Sequence, residues 1–321
     1  MKPIATLLFL VMLLSPVSAV QDAFPLKAKR ILFLGDSITA AGEFVNMIEM
    51  QLRLQSVDPM PELVNAGLPS EGCTGLSEPD HPFSRPDVHE RLDRALAAVK
   101  PDVVVACYGM NDGIYYPFSE DRFLKYQDGI NRLIEKVHAA GAKLILMTPP
   151  PFDPLQLKAE GKLLPEGSEK FAWFAAYEGY DHVIRKYGTW ILEQKDRVEM
   201  VIDLHSPITA YWEHQRKQDP TFTVAPDGVH CNSAGHQTMA EVILKAWSVE
   251  SWIPISHEMT QLVNQKGAVL HNSWLSHIGH KRPGMAAGLP LEEANANAAD
   301  IDRKLQPLIM ETRKPISSNR P

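Results

Sequence analysis

A serine lies where a strand-like segment passes into a helix-like one near the start of the chain. The apolar run Ile31–Leu34 leads directly into Gly35-Asp36-Ser37-Ile38-Thr39. A serine at such a turn exposes its hydroxyl above the sheet, and its own N–H lies at a helix N-terminus, where backbone donors favour negative charge. Taken alone, the Gly-Asp-Ser tripeptide favours a simpler interpretation, in which Ser37 or Thr39 caps the helix. Ser37 becomes a candidate nucleophile only if suitable partners occur elsewhere.

A carboxylate and an imidazole occur together much later in the chain. Asp227-Gly228-Val229-His230 begins within a Pro-Asp-Gly turn signal and precedes a helix pattern. Because the two side chains share one loop, the carboxylate can hold the imidazole in the tautomer whose other nitrogen accepts a serine proton. Considered alone, the motif is a turn with a surface histidine. Together with Ser37, it supplies an orienting acid and a base for a nucleophile.

Two further segments follow predicted strands and carry possible hydrogen-bond donors. Tyr108-Gly109-Met110-Asn111-Asp112 would project the Asn111 amide toward the same crevice as Ser37. An amide there can donate to an oxyanion, whereas an Asx turn that closes the strand is the alternative. The segment Asn65-Ala66-Gly67-Leu68-Pro69-Ser70-Glu71-Gly72 follows another strand and can offer a backbone N–H from the opposite side.

Together these segments resemble the SGNH/GDSL hydrolase family, whose four blocks supply a serine, a backbone-donating glycine, an asparagine and an Asp-x-x-His pair in that order. The resemblance covers roughly residues 30–247. It implies a serine esterase that acts through Ser37, Asp227 and His230, with no cofactor and no metal. It also implies an oxyanion hole built from Ser37, Asn111 and the second block. Counting from Asn65 places Ser70 at the second-block position, with Gly67 and Gly72 as the alternatives.

The elements that must position these residues alternate along the chain. Apolar β-rich runs predict strands at Arg30–Leu34, Glu62–Asn65, Asp102–Cys107, Lys143–Thr148 and Val198–Asp203. Three- and four-residue spacing predicts helices at Glu43–Leu54, Val88–Val99, Arg122–Ala139, Glu169–Glu193 and Ser233–Trp247. Such alternation indicates a parallel sheet covered on both faces. The resemblance implies a three-layer α/β/α sandwich whose five-stranded sheet has the flavodoxin-like order 2-1-3-4-5.

The domain prediction assigns residues 28–250 to the hydrolase domain. Residues 251–305 form a helical C-terminal appendage, with helices at Glu258–Ile278 and Leu291–Leu305, and residues 306–321 form a tail. Two long connections, Leu68–Pro86 and Pro149–Gly167, follow strands and should overhang the crevice. Three histidines of the appendage lack a carboxylate or cysteine at ligand-like spacing, which favours solvated or core roles over a metal site: His271, His277 and His280.

Composition narrows the class of protein. The chain has 321 residues, 45% of them hydrophobic, and a formal net charge of −7, so it carries no basic stripe for nucleic acid.

Residues 1–19 predict a cleaved signal peptide, because the apolar run falls short of the ~20 residues that span a bilayer. We therefore expect a secreted or periplasmic protein without a stable membrane anchor. Cys73, Cys107 and Cys231 permit at most one disulfide, and nothing indicates the oligomeric state.

The substrate prediction is O-deacetylation of a carbohydrate, because export, an acidic chain and aromatic residues near the site occur together. We expect Asp36, Tyr115 and Tyr116 to contact this small-molecule or oligosaccharide ester, with Phe118 nearby. Four other aromatics fall in a predicted helix, where core positions are more common: Trp173, Phe174, Tyr177 and Tyr180.

Several other functions stay open. A lipase, lysophospholipase or arylesterase of the same fold is the nearest alternative, although no long apolar lid segment occurs. An α/β-hydrolase is disfavoured because the chain lacks the G-x-S-x-G elbow. A flavodoxin-like protein could use Asp36–Thr39 to bind the phosphate of FMN. The last alternative is a carbohydrate-binding protein with a vestigial site.

Overall fold

The computed structural model describes residues 23–314. Five parallel strands form the main sheet: β1 (Arg30–Gly35), β2 (Glu62–Asn65), β3 (Val103–Cys107), β4 (Lys143–Met147) and β7 (Met200–Ile202). Their spatial order is β2-β1-β3-β4-β7, which confirms the predicted flavodoxin-like order. Two short strands, β5 (Leu163–Leu164) and β6 (Ala176–Tyr177), pair with each other apart from this sheet.

The helices flank the sheet. They are α1 (Ser37–Ala41), α2 (Glu43–Leu54), α3 (Leu92–Val99), α4 (Glu120–Ala139), α5 (Leu155–Ala159), α6 (Tyr180–Leu192), α7 (His205–Arg216), α8 (Ser233–Ala246), α9 (His257–Ile278) and α10 (Leu291–Thr312), with 3₁₀ turns at Val88–Glu90 and Glu193–Asp196. Every residue of β3 is buried, as expected for a parallel strand covered on both faces.

The strand register brings the predicted site segments to one edge of the sheet. Gly35 pairs with Cys107 across β1 and β3, while Phe33 pairs with Asn65 across β1 and β2. Since parallel strands all end at the same edge, the segments that follow β1, β2 and β3 emerge side by side. This edge is therefore where Ser37, Ser70 and Asn111 can meet.

The helix predicted at Glu169–Glu193 is wrong over its first half. Ala172 and Ala175 exchange both backbone hydrogen bonds, at 3.1 and 2.9 Å, which closes a tight turn with Trp173 and Phe174 at its tip. Ala176–Tyr177 then pairs with β5, and helical structure begins only at Tyr180. The aromatic spacing was misleading because these rings do not line one face of a helix.

Helix α7 was missed by the sequence interpretation. Pro207 is its third residue, and within its own loop the Asp203 carboxylate accepts only the Ser206 N–H, at 3.2 Å. The N–H groups of the two preceding residues are satisfied by Thr148, just after β4, whose Oγ1 accepts from Leu204 and His205 at 2.8 and 3.1 Å. Thr148 lies 56 residues from Leu204 in sequence, so this part of the helix cap is not encoded locally.

The C-terminal region is helical, as predicted. α9 and α10 pack against each other and against α2. A small core joins them: Met50, Leu54, Met259, Val263, Ile301, Leu305 and Ile309. The buried Lys266 ammonium adds ion pairs to Glu49 and Asp302 at 2.6 and 3.0 Å.

The predicted tail begins too early. α10 continues through Pro307 to Thr312, and the buried Ile309 accounts for this continuation by packing against α2. The signal peptide prediction at residues 1–19 and the last residues, 315–321, lie outside the described part of the chain. Within residues 23–314, no helix has the length and apolar character needed to cross a bilayer.

Candidate active site

The turn after β1 fixes the position of Ser37. A Cβ on Gly35 would lie 2.2 Å from Thr39 Oγ1 and 2.8 Å from the Cys107 carbonyl oxygen, so only glycine fits there. The Asp36 carboxylate accepts the Ile38 N–H at 2.9 Å and caps α1. Ser37 is the first residue of that helix, and the first-turn N–H groups of a helix have no partner within it. Its N–H is therefore available to an external acceptor.

A second turn holds the predicted acid and base. The Gly228 N–H donates to the Ala225 carbonyl at 2.9 Å, and Gly228 has a φ of +84°, so the Pro-Asp-Gly signal forms the expected turn. Asp227 Oδ1 accepts the N–H groups of Val229 and His230 at 3.0 and 2.7 Å. The other oxygen, Oδ2, lies 2.6 Å from His230 Nδ1. The carboxylate therefore holds both the backbone and the ring of His230.

The two turns meet in a continuous hydrogen-bonded chain. His230 Nε2 lies 2.7 Å from Ser37 Oγ, across 193 residues of sequence. Since Nδ1 faces the carboxylate, the ring's proton belongs on Nδ1, and Nε2 is left as the acceptor for the serine hydroxyl. The structure thus brings Ser37, His230 and Asp227 together in the order that the sequence predicts.

Asp227 and His230 stabilise each other's charged forms. The hydrogen bond to Asp227 raises the pKa of His230 above its ordinary 6.5, against the opposing effect of burial. Partial burial alone would raise the pKa of Asp227, but its hydrogen bonds with His230 outweigh this and lower that pKa to about 2. Asp227 therefore stays ionised throughout the range in which His230 titrates.

Asn111 makes two hydrogen bonds that leave one of its two amide protons without an acceptor among the described residues. Its Nδ2 donates to the Glu71 carbonyl at 2.9 Å, and its Oδ1 accepts the Tyr115 hydroxyl at 3.1 Å. An amide nitrogen carries two protons, and the residue lines the same cavity as Ser37. The second proton can therefore be donated to a group bound beside Ser37.

The three candidates for the second backbone donor differ in what their N–H groups already bind. Gly67 N–H donates to Asn65 Oδ1 at 2.9 Å, and Gly72 N–H donates to the Pro86 carbonyl at 3.0 Å. The Ser70 N–H has no acceptor among residues 23–314, and Ser70 lines the cavity. Gly67 and Gly72 are thus unsuited to the role, which leaves Ser70 as the candidate.

A buried ion pair lies beneath these donors. The Arg91 guanidinium makes two hydrogen bonds of 2.7 Å to the Glu71 carboxylate and a third to the Ala66 carbonyl, also at 2.7 Å. The Tyr108 hydroxyl donates to the same carboxylate at 2.7 Å. Because Glu71 also holds Asn111 through its backbone carbonyl, this cluster fixes the amide from below.

The cavity above these groups has a volume of about 550 Å³. Its wall includes Ser37, Pro69, Ser70, His81, Pro82, Phe83, Arg85, Asn111, Tyr115, Leu157, Lys162, Trp173, Phe174, Asp227, Val229, His230 and Arg282. Both long connections, 68–86 and 149–167, contribute residues to the wall, in agreement with their predicted position.

The predicted substrate contacts need correction. Tyr115 lines the cavity, but Asp36 and Tyr116 do not. Asp36 is buried, and burial raises the pKa of this carboxyl to about 7. Tyr116 packs on Phe171 instead, with ring centroids 5.0 Å apart.

The residues that sequence reasoning undervalued are Trp173 and Phe174. They line the cavity with 51% and 50% of their surface exposed, whereas the prediction favoured core positions for them. Arg282 was assigned no role and also lies in the wall. The sequence pattern alone does not show that these rings are exposed, because it does not reveal the turn between Ala172 and Ala175.

No group of three or more His, Cys, Asp or Glu side chains is placed to hold a metal ion within the described residues. His271 Nε2 lies 2.8 Å from the Gly67 carbonyl, and His277 packs against Trp274. Cys73, Cys107 and Cys231 are all free thiols.

The sequence profile of the GDSL-like Lipase/Acylhydrolase family matches residues 33–238. The match spans more than half of the chain and contains all of the serine, asparagine and Asp-x-x-His segments. The chain therefore belongs to this family, and at family level it is an ester hydrolase. A search of the curated proteins gave no match.

Three solved structures share the fold. A gut microbial diltiazem-metabolizing enzyme is 20% identical with a TM-score of 0.52, over 68% of this chain and 47% of its own, so the chain spans about half of that protein's length. An acetyl xylan esterase is 22% identical with a TM-score of 0.51, over 68% and 98% of the two chains. An α/β hydrolase enzyme from the metagenome of Lake Arreo, Spain, is 20% identical with a TM-score of 0.51, over 70% and 97%.

Proposed function

We propose that this protein is a serine esterase whose nucleophile, base and orienting acid are Ser37, His230 and Asp227. The observation that carries the proposal is the hydrogen-bonded chain from Asp227 through His230 to Ser37, with distances of 2.6 and 2.7 Å. These three side chains line a cavity whose wall also contains the free donors of Ser70 and Asn111. In a vestigial site, we would not expect both the hydrogen-bonded chain and the free donors to be retained in one cavity.

In the first half of the reaction, His230 Nε2 removes the Ser37 proton as Oγ attacks the ester carbonyl carbon. The carbonyl oxygen becomes an oxyanion, which accepts hydrogen bonds from the N–H groups of Ser37 and Ser70 and from Asn111 Nδ2. The ester C–O bond then breaks, the alcohol leaves with the proton held by His230, and an acyl-serine is formed.

In the second half, His230 removes a proton from water, and the hydroxide oxygen attacks the acyl carbon. The same three donors hold the second oxyanion. When it collapses, Ser37 Oγ leaves and regains its proton from His230, and the carboxylic acid is released. Asp227 stays ionised throughout and stabilises the imidazolium that forms in each half.

For the substrate, we propose an acetylated carbohydrate. The Trp173 and Phe174 rings stand perpendicular, 5.5 Å apart, and half of each is exposed in the cavity wall. Such rings are apolar stacking surfaces with defined geometry, suited to a sugar face. The aliphatic side chains of the wall are Pro69, Pro82, Leu157 and Val229, too few to bury a long acyl chain at ~0.8 kcal/mol per methylene. The fold shared with an acetyl xylan esterase permits this activity.

The test uses a chain-length series of esters beside an acetylated xylo-oligosaccharide. We expect acetyl esters to react faster than decanoyl esters, and acetylated sugars to react faster than acetylated simple alcohols. Trp173→Ala should lower kcat/KM for the sugar ester about 10-fold, in line with ~1.4 kcal/mol for a stacked ring. Leu124→Ala, an equally exposed site away from the cavity, is the matched control. Rates that climb steadily from acetyl to decanoyl would show a lipase instead.

A second candidate, an aryl esterase, is favoured by the same aromatic wall. Phe83 joins Trp173 and Phe174 in lining the cavity, and an aryl leaving group would stack on them as a sugar does. Inert sugar esters together with fast aryl acetate hydrolysis would select this alternative.

We also propose that the protein is exported, on the basis of the signal peptide pattern in residues 1–19. Expression of the full chain and sequencing of the mature N-terminus would test this. A product that retains Met1 in the cytoplasm would contradict it.

A further inference from the structure

Arg282 reaches the candidate site from beyond the region that the family profile matches. Its Nε donates to the Pro69 carbonyl at 2.9 Å, across 213 residues of sequence. The guanidinium also lies 5.1 Å from the Phe83 ring centroid, and Arg282 is part of the cavity wall. The C-terminal region therefore contributes a cation to the catalytic cavity.

The acceptor of that hydrogen bond belongs to a peptide unit with a candidate catalytic donor at its other end. The Pro69 carbonyl and the Ser70 N–H share one trans peptide bond. This unit is planar, and in the trans form its C=O and N–H point in opposite directions. A group that fixes the direction of the carbonyl therefore fixes the direction of the N–H.

Ser70 needs such a restraint because its backbone is unusual. Its φ of +69° lies in the left-handed region, which costs a non-glycine residue about 1–2 kcal/mol. Neighbouring carbonyls are held in a similar way: His271 Nε2 donates to Gly67 at 2.8 Å, and Arg85 Nη1 donates to Ser70 at 3.3 Å. Arg282 is the anchor that acts on the peptide unit containing the free N–H.

We propose that Arg282 is a positioning residue of the oxyanion hole, which holds the Pro69–Ser70 peptide so that the Ser70 N–H is presented to the oxyanion. A charged donor on the carbonyl also polarises the peptide and strengthens the hydrogen bond that its N–H can donate. The inference rests on the proposed esterase function. It gives the C-terminal region a part in transition-state stabilisation.

The experiment compares Arg282→Gln and Arg282→Lys with Lys281→Gln. Lys281 is the adjacent cation, its side chain is 80% exposed, and it lies outside the cavity wall. Each variant is assayed with a small aryl acetate, and its affinity for an alkyl boronic acid is measured, because the boronate on Ser37 imitates the tetrahedral intermediate. Thermal unfolding of each variant checks the fold.

We expect Arg282→Gln to lower kcat about 10- to 100-fold, somewhat less than the loss of a whole oxyanion donor, with KM unchanged. Boronate affinity should fall in parallel, because both depend on the Ser70 N–H. Arg282→Lys should recover part of both quantities, since an ammonium can also donate to Pro69, and Lys281→Gln should match the wild type. If Arg282→Gln unfolds at the assay temperature, the Lys variant carries the comparison.

Two results would overturn the inference. One is a raised KM with unchanged kcat, which would mean that the guanidinium binds substrate directly. The other is a wild-type kcat and boronate affinity in Arg282→Gln. Failure of the underlying esterase function is recognised separately, because the wild type itself would then neither hydrolyse acetates nor bind the boronate.

Discussion

Asp227 and His230 are held by their own loop, whereas Asn111 and Ser70 depend largely on residues that are distant in sequence. In the first region, three of the hydrogen bonds to Asp227 come from residues no more than three positions away, and both side chains are about half exposed. In the second, Asn111 is buried and bonds to the Glu71 carbonyl, 40 residues away, as well as to Tyr115. Arg85 and Arg282 bond to the carbonyls of Ser70 and Pro69, 15 and 213 residues away.

The difference follows from what each region must do. A base has to titrate and exchange protons with water, so it needs access to solvent and a local carboxylate to orient it. An oxyanion donor has to keep a fixed direction while charge develops, so it benefits from rigid surroundings. Local residues can orient a ring, but a backbone loop with a left-handed residue requires support from several elements.

The largest expected effect falls where the two regions meet, at Ser37. Ser37→Ala should lower kcat by about 10⁶ without altering thermal stability, because it removes the nucleophile and changes little volume. His230→Ala in the same background should add little, since both residues act as one unit. Steady-state kinetics of the single and double variants measure both effects. Wild-type-like hydrolysis in Ser37→Ala would exclude the proposed mechanism.

Arg91→Met should affect stability most. It would leave the Glu71 carboxylate buried without its cation, and removing one partner of a buried pair costs about 3–5 kcal/mol in the free energy of unfolding. The control is Arg132→Met, whose exposed pair with Asp128 at 3.7 Å should change stability by less than ~1 kcal/mol. Urea unfolding measures both. Equal effects would show that the support beneath the oxyanion donors is not structural.

Asn111→Ala should lower kcat by about 10²–10³ and leave KM nearly unchanged, because the oxyanion exists only as the carbonyl becomes tetrahedral. Michaelis profiles with a single acetyl ester separate the two parameters. If KM rises while kcat is preserved, Asn111 contacts the ground-state substrate, and the second region is a binding surface.

The pH dependence tests the first region. The hydrogen bond to Asp227 raises the pKa of His230, and the base must be neutral, so kcat/KM should fall as the pH drops through a value above 6.5. Asp227→Asn should move this inflection downward in the residual activity. A rate that stays constant to about pH 4, where even an ordinary imidazole is charged, would exclude a histidine base.

The smallest expected effect is that of Ser70→Gly. Glycine adopts a φ of +69° without the left-handed penalty of about 1–2 kcal/mol, but its freer unfolded chain offsets ~0.4–1 kcal/mol of the gain. We expect a stabilisation of up to about 1.5 kcal/mol with activity retained, because the N–H remains. Lys100→Gly, at another left-handed position outside the cavity wall, should be stabilised similarly. A large loss of activity in Ser70→Gly alone would mean that the serine side chain itself takes part.

The sequence by itself determined the parts of the protein that depend on neighbouring residues. The Gly-Asp-Ser turn and the Pro-Asp-Gly turn form from interactions within a few residues, the buried strands are visible as short runs of apolar residues, and the sheet order followed from the resemblance that these segments carry. The hydrogen bonds from Asp227 to its own loop are an example, since each joins residues two or three apart.

Only the tertiary structure decided the features that depend on distant partners. Counting from Asn65 points to Ser70 but leaves Gly67 and Gly72 open, and the structure separates them because Asn65 and Pro86 accept the N–H groups of the two glycines. Helix α7 takes part of its N-terminal cap from Thr148, which follows β4. Arg282 approaches the cavity because the C-terminal helices pack on α2, and no local pattern encodes a contact across 213 residues.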